Sequence, residues 1–338
     1  MTEIATQGDL MRQMVLRRQT ADVRAALDAR VAEIGSGRKT DIAGDLKGDF
    51  SLLASVERDL RTLSAYETSA TELGTRAKST QGVLGKVQTI MEDIAPRLLQ
   101  VPAAGLATFA EGLAVDARQR LDAMVSALNT SLGGRTLFAG ADTTGPALAS
   151  SETMFAAIEA AVAASGAATA ADVAAEVDAW FAPGGEFDAI GYLGSDQPVA
   201  AQEVGSSRRL GLSATADDGR LRSVLAGMAL AALADRPPLD GQPDAQAELA
   251  TMAGERLMGA TAGLTALRSE VGLVEAELDS VVTANAAERT ALRTTRSGLV
   301  DADMFESASR LEEIQNQLQI LYSITARTAR LNLVSFLG

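Results

Sequence analysis

Gly35-Ser36-Gly37-Arg38-Lys39-Thr40 holds the residue types of a phosphate loop (glycines, a lysine and a hydroxyl) but not its spacing. A phosphate-cradling loop reads G-x-x-x-x-G-K-[ST] and follows a strand. Here an apolar-periodic helix comes first, so the stretch reads as a helix-stopping turn. Asp301 and Asp303 are a second candidate, as oxygen ligands for a cation. No third ligand recurs at loop spacing, and capping of the next helix accounts for them. Asp217-Asp218-Gly219-Arg220 reads as a turn with solvated charges. The chain contains no His and no Cys. Disulfides, thiolate- or imidazole-bound metals and nucleophile–His catalysis are thereby removed. No nucleophile, base and oxyanion donor cluster along the chain. The reading is a protein that is not an enzyme, with no catalytic residue, cofactor or metal.

What remains is spacing that builds contacts. Leu264, Leu267, Val271, Val274, Leu278, Val281, Asn285, Glu288, Leu292, Thr295 and Leu299 alternate steps of three and four, the seam of a long helix facing a partner. Asn285 sits in that seam, where a polar residue fixes register. Gly298 interrupts the helix, and a second one follows. Its apolar stripe runs through Met304, Leu311, Ile314, Leu318 and Leu321, widened by Ile320, Ile324 and Leu331. A stripe that wide has more than one neighbour to satisfy.

The N-terminal end mirrors this. Leu16, Val23, Leu27 and Ile34 follow helical steps, with Met14 and Val31 beside them, and Gly35-Ser36-Gly37 stops the helix. Further apolar stripes, Leu46 to Leu63, Leu84 to Val101 and Leu106 to Leu128, read as ordinary bundle core; Pro102 and Gly105 punctuate them. The terminal helices differ, because isolated amphipathic helices are marginal in water. They must pair with each other or with other subunits. The candidate assembly residues are therefore Leu16, Val23, Leu27, Ile34, Leu311, Ile314, Leu318, Leu321, Ile324 and Leu331.

Between the arms the composition changes. The Ala-rich stretch 155–182 predicts two short helices, Phe187 to Leu212 a few short strands or hairpins, and Val224 to Leu233 a helix. Residues 141–260 carry 17 acidic and 6 basic side chains, which is −11 of the chain's −14. Residues 286–330 hold 6 of each sign, and 1–30 hold 4 acidic against 5 basic. The middle is an acidic module, and near-neutral ends can crowd together without self-repulsion. Net negative charge argues against nucleic acid. No run of about 18 apolar residues occurs, so no membrane span is expected. Asp9, Arg12, Arg17 and Arg18 break up any apolar signal core.

Three blocks resemble the flagellin superfamily, nearest its members at the hook–filament junction. Ile34-Gly35-Ser36-Gly37-Arg38 looks like the loop after the first helix. Asn129-Thr130-Ser131-Leu132-Gly133-Gly134-Arg135-Thr136-Leu137-Phe138-Ala139-Gly140 is similar to the N-x(4)-G-R-x-L-F-x-G stretch where the helical body gives way to the outer domain. Asp303 through Leu337 resembles the terminal helix, and its ending Leu331-Asn332-Leu333-Val334-Ser335-Phe336-Leu337 looks like the junction type. Tyr192-Leu193-Gly194-Ser195-Asp196 matches more loosely.

The expected fold is mainly α: a long antiparallel helical bundle or coiled coil formed by the N- and C-terminal arms, with an inserted small α+β outer domain. The expected division is 1–35 plus 300–338 as the terminal coiled-coil assembly domain, 36–140 plus 255–299 as the helical bundle, and 141–254 as the acidic outer domain. The resemblance implies a structural subunit of the extracellular bacterial flagellum, exported without a cleaved signal peptide. It would join the hook-associated region to the flagellin filament. Its implied partners are further copies in a ring, a neighbouring hook-associated protein, flagellin, the flagellar export apparatus and an export chaperone. The alternatives are flagellin itself, or a cytoplasmic coiled-coil scaffold.

Overall fold

A computed structural model describes the backbone of residues 2–100 and 107–337, with side chains at 11, 14–100 and 111–327. The expectations at Val101, Pro102, Gly105 and Leu106 fall outside the described residues, as does the Leu331 side chain. The fold is mainly α, with two short antiparallel hairpins among the described residues. The chain divides into two units, Met1–Leu63 with Ala286–Gly338, and Ser64–Asn285.

In the first unit, α1 (Thr2–Ser36) packs against α9 (Met304–Leu337). The pair is antiparallel, since Arg24 meets Tyr322 while Glu33 meets Ser307. Gly37, at φ 69°, ends α1 in the left-handed conformation that suits a residue without Cβ. The chain then runs beside the residues that enter α9. Lys39 N–H donates to the Val300 carbonyl at 3.0 Å and Ala302 N–H to the Gly37 carbonyl at 3.0 Å. Asp303 caps α9 as expected, accepting from Phe305 N–H at 2.9 Å and Glu306 N–H at 3.1 Å. A single turn, α2 (Ile42–Asp45), is capped by Asp41.

Two long helices complete the scaffold, α3 (Ser51–Leu99) and α8 (Pro243–Val300). Pro243 opens α8 at a position where its missing N–H costs nothing. In the second unit they join α4 (Ala107–Leu128), α5 (Ser151–Ser165), α6 (Ala170–Phe181) and α7 (Gly219–Ala232). Nearly all of α7 is buried, from Leu221 to Ala232. A helix apolar on every side belongs at the centre of a core, and α4, α6 and α8 supply its surroundings. The two Ala-rich helices form where expected. Ser150 caps α5, and a reciprocal Thr169–Asp172 box caps α6.

The two sequence blocks 129–140 and 192–196 interlock. Asn129 grips Leu148 in both directions, Nδ2 donating to its carbonyl at 2.9 Å and Oδ1 accepting its N–H at 2.8 Å. Between them lies the hairpin of β1 (Ser131–Leu132) and β2 (Arg135–Thr136). Gly140 has φ 61°, and a Cβ there would fall 2.1 Å from the Ser195 carbonyl oxygen, so only glycine fits. Ser195 N–H donates to Ala139 and Ala141 N–H to Gln197, at 2.9 and 2.8 Å. Tyr192 donates its hydroxyl to the Ser195 carbonyl at 2.9 Å. Burial, with Asp217 and Asp196 nearby, pushes that phenol up to about 12, so it stays a donor.

Three expectations need correcting. Phe187 to Leu212 is not a run of strands. Its first part, Phe187–Gly191, is a π-helical turn closed by Tyr192 N–H on the Phe187 carbonyl at 2.8 Å, with Phe187 buried against Trp180. Its second part does form an expected hairpin, β3 (Gln202–Gly205) pairing with β4 (Arg208–Leu210), and Tyr192 makes an isolated bridge to Leu148. Asn285 does not set register between helices; its Nδ2 donates to the Val204 carbonyl on β3 at 2.9 Å. Asp217 is not a solvated turn charge, because it is paired with Arg222, which is only 8% exposed.

The Asn285 bond satisfies a carbonyl in a buried cluster of Ala70, Leu73, Val204, Leu278 and Val281. Asn285→Ala would leave that oxygen unpaired, at a cost of about 1–3 kcal/mol. The expected result is faster amide exchange across 202–210. Unchanged protection there would count against this role.

Candidate functional site

Seam residues on both terminal helices are neither core nor surface. Leu16, Val23, Leu27 and Ile34 on α1 are half-buried, as are Leu311, Ile314, Leu318 and Leu321 on α9. Ile324 is exposed, and Leu331 lies in α9 with its side chain outside the described residues. A pair of helices has only one partner each, so a stripe wider than one seam keeps an open flank. Met11, Met14, Val15, Val31, Met304, Phe305, Ile320 and Tyr322 add exposed apolar area to the same pair. Scattered exposed apolar residues are normal; this concentration on two helices is not.

Polar contacts lock the pair at mid-length and at the chain reversal. Arg24 donates from Nε and Nη2 to the Tyr322 hydroxyl at 3.0 and 2.6 Å, and its guanidinium lies 5.6 Å from the ring centre. At the reversal sits Glu33, 5% exposed. It accepts from Arg30 Nη1 at 2.5 Å, from Thr40 N–H at 3.1 Å and from Ser307 Oγ at 3.3 Å. One carboxylate thus joins α1, the following loop and the first turn of α9. Burial alone would raise its pKa, but these donors outweigh burial and hold it below the usual carboxylate value. Periodicity does not single out Glu33 or Ser307. The hint in the sequence is a carboxylate one helical turn before the reversal at Gly37.

The depressed pKa fixes a sign. A carboxyl held below its unfolded value contributes stability above that value and loses it as pH falls through the folded pKa. Glu33→Gln is therefore expected to weaken the first unit at pH 7 by about 1.5–3 kcal/mol, the range for bonds to a charged group. The gap to wild type should close on acidification below the unfolded value of 4.5. Urea titrations followed by helical circular dichroism at several pH values measure it. A gap constant with pH would show that the carboxylate charge is not what holds this latch.

A groove of about 690 Å³ runs between α1 and α9, with Ala26, Ala29, Ser309 and Ile314 among its lining and Arg30 and Glu313 on its walls. In the second unit a cleft of about 610 Å³ is bordered by Asp178, Asp217, Arg222 and Arg256. Its charges are paired with one another, Arg256 with Asp178 at 2.5 Å and Arg222 with Asp217. Among the described residues no three His, Cys, Asp or Glu side chains gather to hold a metal. No helix of the described residues is long and apolar enough to cross a membrane.

Residues 256–337, most of α8 and all of α9, match the family model of the bacterial flagellin C-terminal helical region. Among solved structures, the chain is similar to a protein from Vibrio parahaemolyticus provisionally described as flagellar hook-associated. The match has a TM-score of 0.50 at 17% identity and covers 75% of this chain and 99% of that one. At that identity the likeness is one of fold. No curated protein matches. Over residues 256–337 the chain is thus similar to the flagellin C-terminal helical region, built here onto an antiparallel pairing of α1 with α9.

Proposed function

We propose that the chain is a non-catalytic structural subunit of the flagellum that joins the hook-associated region to the flagellin filament. The observation that carries this reading is the apolar stripe on α1 and α9, which stays half-open in the single chain. Copies arranged in a ring would cover it. The neighbouring hook-associated protein would seat the ring, and flagellin would continue from it. The segments 1–35 and 300–338 would form the assembly domain, 36–140 with 255–299 the helical body, and 141–254 an acidic outer module. The Vibrio parahaemolyticus protein's description supports the hook-associated assignment. Export would proceed unfolded through the flagellar apparatus, aided by a chaperone and without a cleaved signal. No cofactor enters the scheme.

A second reading, the filament subunit itself, is favoured by the family match of residues 256–337 to flagellin. A clean deletion viewed by electron microscopy separates the two. Hooks without filaments, with flagellin shed into the medium, are expected. Loss of flagellin from the medium would point to the filament subunit, and normal filaments would overturn both.

A further inference from the structure

Phe305 is 85% exposed, the most exposed large apolar side chain among the described residues. It does not hang on a loose end. It occupies the first turn of α9, where Asp303 Oδ1 accepts from its own N–H at 2.9 Å and from the next at 3.1 Å. A capped turn presents the ring with little left to order on binding. Exposed, preorganised aromatics are the side chains that dominate protein interfaces. The ring itself lines one side of the α1–α9 groove, whose other lining includes Ala26, Ala29, Ser309 and Ile314, with Arg30, Glu306, Arg310 and Glu313 as its charged members. At about 690 Å³ the groove is ample for a phenyl ring.

We propose that the groove between α1 and α9 receives Phe305 from a second copy of this chain, so that each copy inserts its ring into the next. Naming a second copy rests on the assembly reading above; the choice of ring and groove does not. Charge selects the occupant. Residues 141–260 carry −11 of the net −14, so two copies repel through that segment, while 286–330 holds 6 charges of each sign. The groove repeats this balance. Arg30 is engaged by Glu33 at 2.5 Å, and Glu313 has no ion-pair partner among the described residues. The second turn of the incoming helix carries Arg310, held only by an exposed contact to Glu306 at 2.6 Å. Exchange of that exposed pair for Glu313 of the receiving copy costs little. A knob beside its own hole makes a head-to-tail contact, which propagates from copy to copy.

Because the chain has no Cys, two single-cysteine variants test this cleanly. Phe305→Cys, carrying a size tag, and Ala26→Cys are made in the same cells, and the extracellular appendage fraction is oxidised and run without reductant. The expected main linked species is a mixed dimer, one tagged chain joined through position 305 to position 26 of an untagged chain. Linked species dominated by pairs of tagged chains joined at position 305, or none, would overturn the proposal; Ser309→Cys replaces Ala26→Cys if the latter does not fold. If the chain is absent from appendages, the flagellar reading alone fails. Oxidation of the concentrated, purified full chain then decides the contact by the same two outcomes. A companion variant, Phe305→Ser, should melt like wild type yet lose assembly, since the ring touches little within its own chain. Assembly at the wild-type level would likewise overturn the proposal.

Discussion

Leu318→Asp is expected to leave cells with hooks but without filaments, while residues 64–285 fold normally. Leu318 stands in the half-buried stripe Leu311, Ile314, Leu318 and Leu321 on α9. In the lone chain the new carboxylate keeps some access to water, so the helix pair is strained rather than destroyed. Once neighbouring copies cover the stripe, that water is gone and the charge faces apolar side chains alone. The penalty for an unpaired buried charge is then roughly several kcal/mol at every contact. Each 1.4 kcal/mol is about tenfold in affinity, so even two such steps weaken association about a hundredfold. Counting filaments by electron microscopy gives the answer. The single Trp180, buried in the other unit, verifies by its fluorescence that the second unit is intact. Normal filaments from this variant would mean that the stripe on α9 is not the surface that copies share.

Arg222→Met is expected to destabilise the second unit strongly. Every donor of Arg222 is used: Nε on the Asp217 carbonyl at 3.0 Å, and Nη1 on the Phe181 and Ala182 carbonyls at 3.3 Å each. Nη2 meets the carboxylates of Asp217 and Asp188, the latter at 2.5 Å, and the guanidinium lies 4.8 Å from the centre of the Phe187 ring. Methionine fills the space but leaves two carboxylates and three carbonyls without their donor. Breaking a buried pair from one side costs about 3–5 kcal/mol, and the partial exposure of Asp188 argues for the lower end. In a unit of this size that lowers the melting temperature by about 6–12 °C. The loss should shrink in acid. Burial, with Asp188 and Asp196 nearby, already pushes the Asp217 carboxyl above its ordinary range against the pull of Arg222. Without Arg222 it rises further. A carboxyl with a raised folded pKa favours the fold below that value and penalises it as pH climbs through it. Melts followed by Trp180 fluorescence between about pH 4 and pH 8 test both size and sign. A deficit that grows on acidification would contradict this account.

The terminal stripes are legible in the sequence because a helix repeats its facing positions every three or four residues. Leu311, Ile314, Leu318 and Leu321 can thus be picked out with no knowledge of what they face. The cap at Asp303 is legible for the same local reason. Asn285 shows where local reasoning stops. Its place in the heptad is plain, but its partner, the Val204 carbonyl, lies 81 residues earlier in a hairpin that periodicity cannot bring to α8. Asp217 is similar: its two-residue acidic turn looks like any surface turn until Arg222 and the π-helical turn at Phe187–Gly191 close over it. The groove and Phe305 are invisible for a further reason. A groove is made by two helices jointly, and an exposed ring in an apolar stripe reads as core until the partner's position is known.

The pairing of α1 with α9 joins residues as much as 298 positions apart in the chain. During synthesis α1 is complete at residue 36, while its partner α9 begins only at residue 304. At roughly 5–20 residues per second that wait lasts on the order of tens of seconds. Contacts within 64–285 wait less, the bond from Gln81 to the Arg268 carbonyl spanning 187 positions. The surface proposed to bind other copies is consequently late to acquire its shape, and a ribosome-bound fragment that stops before α9 has none of it.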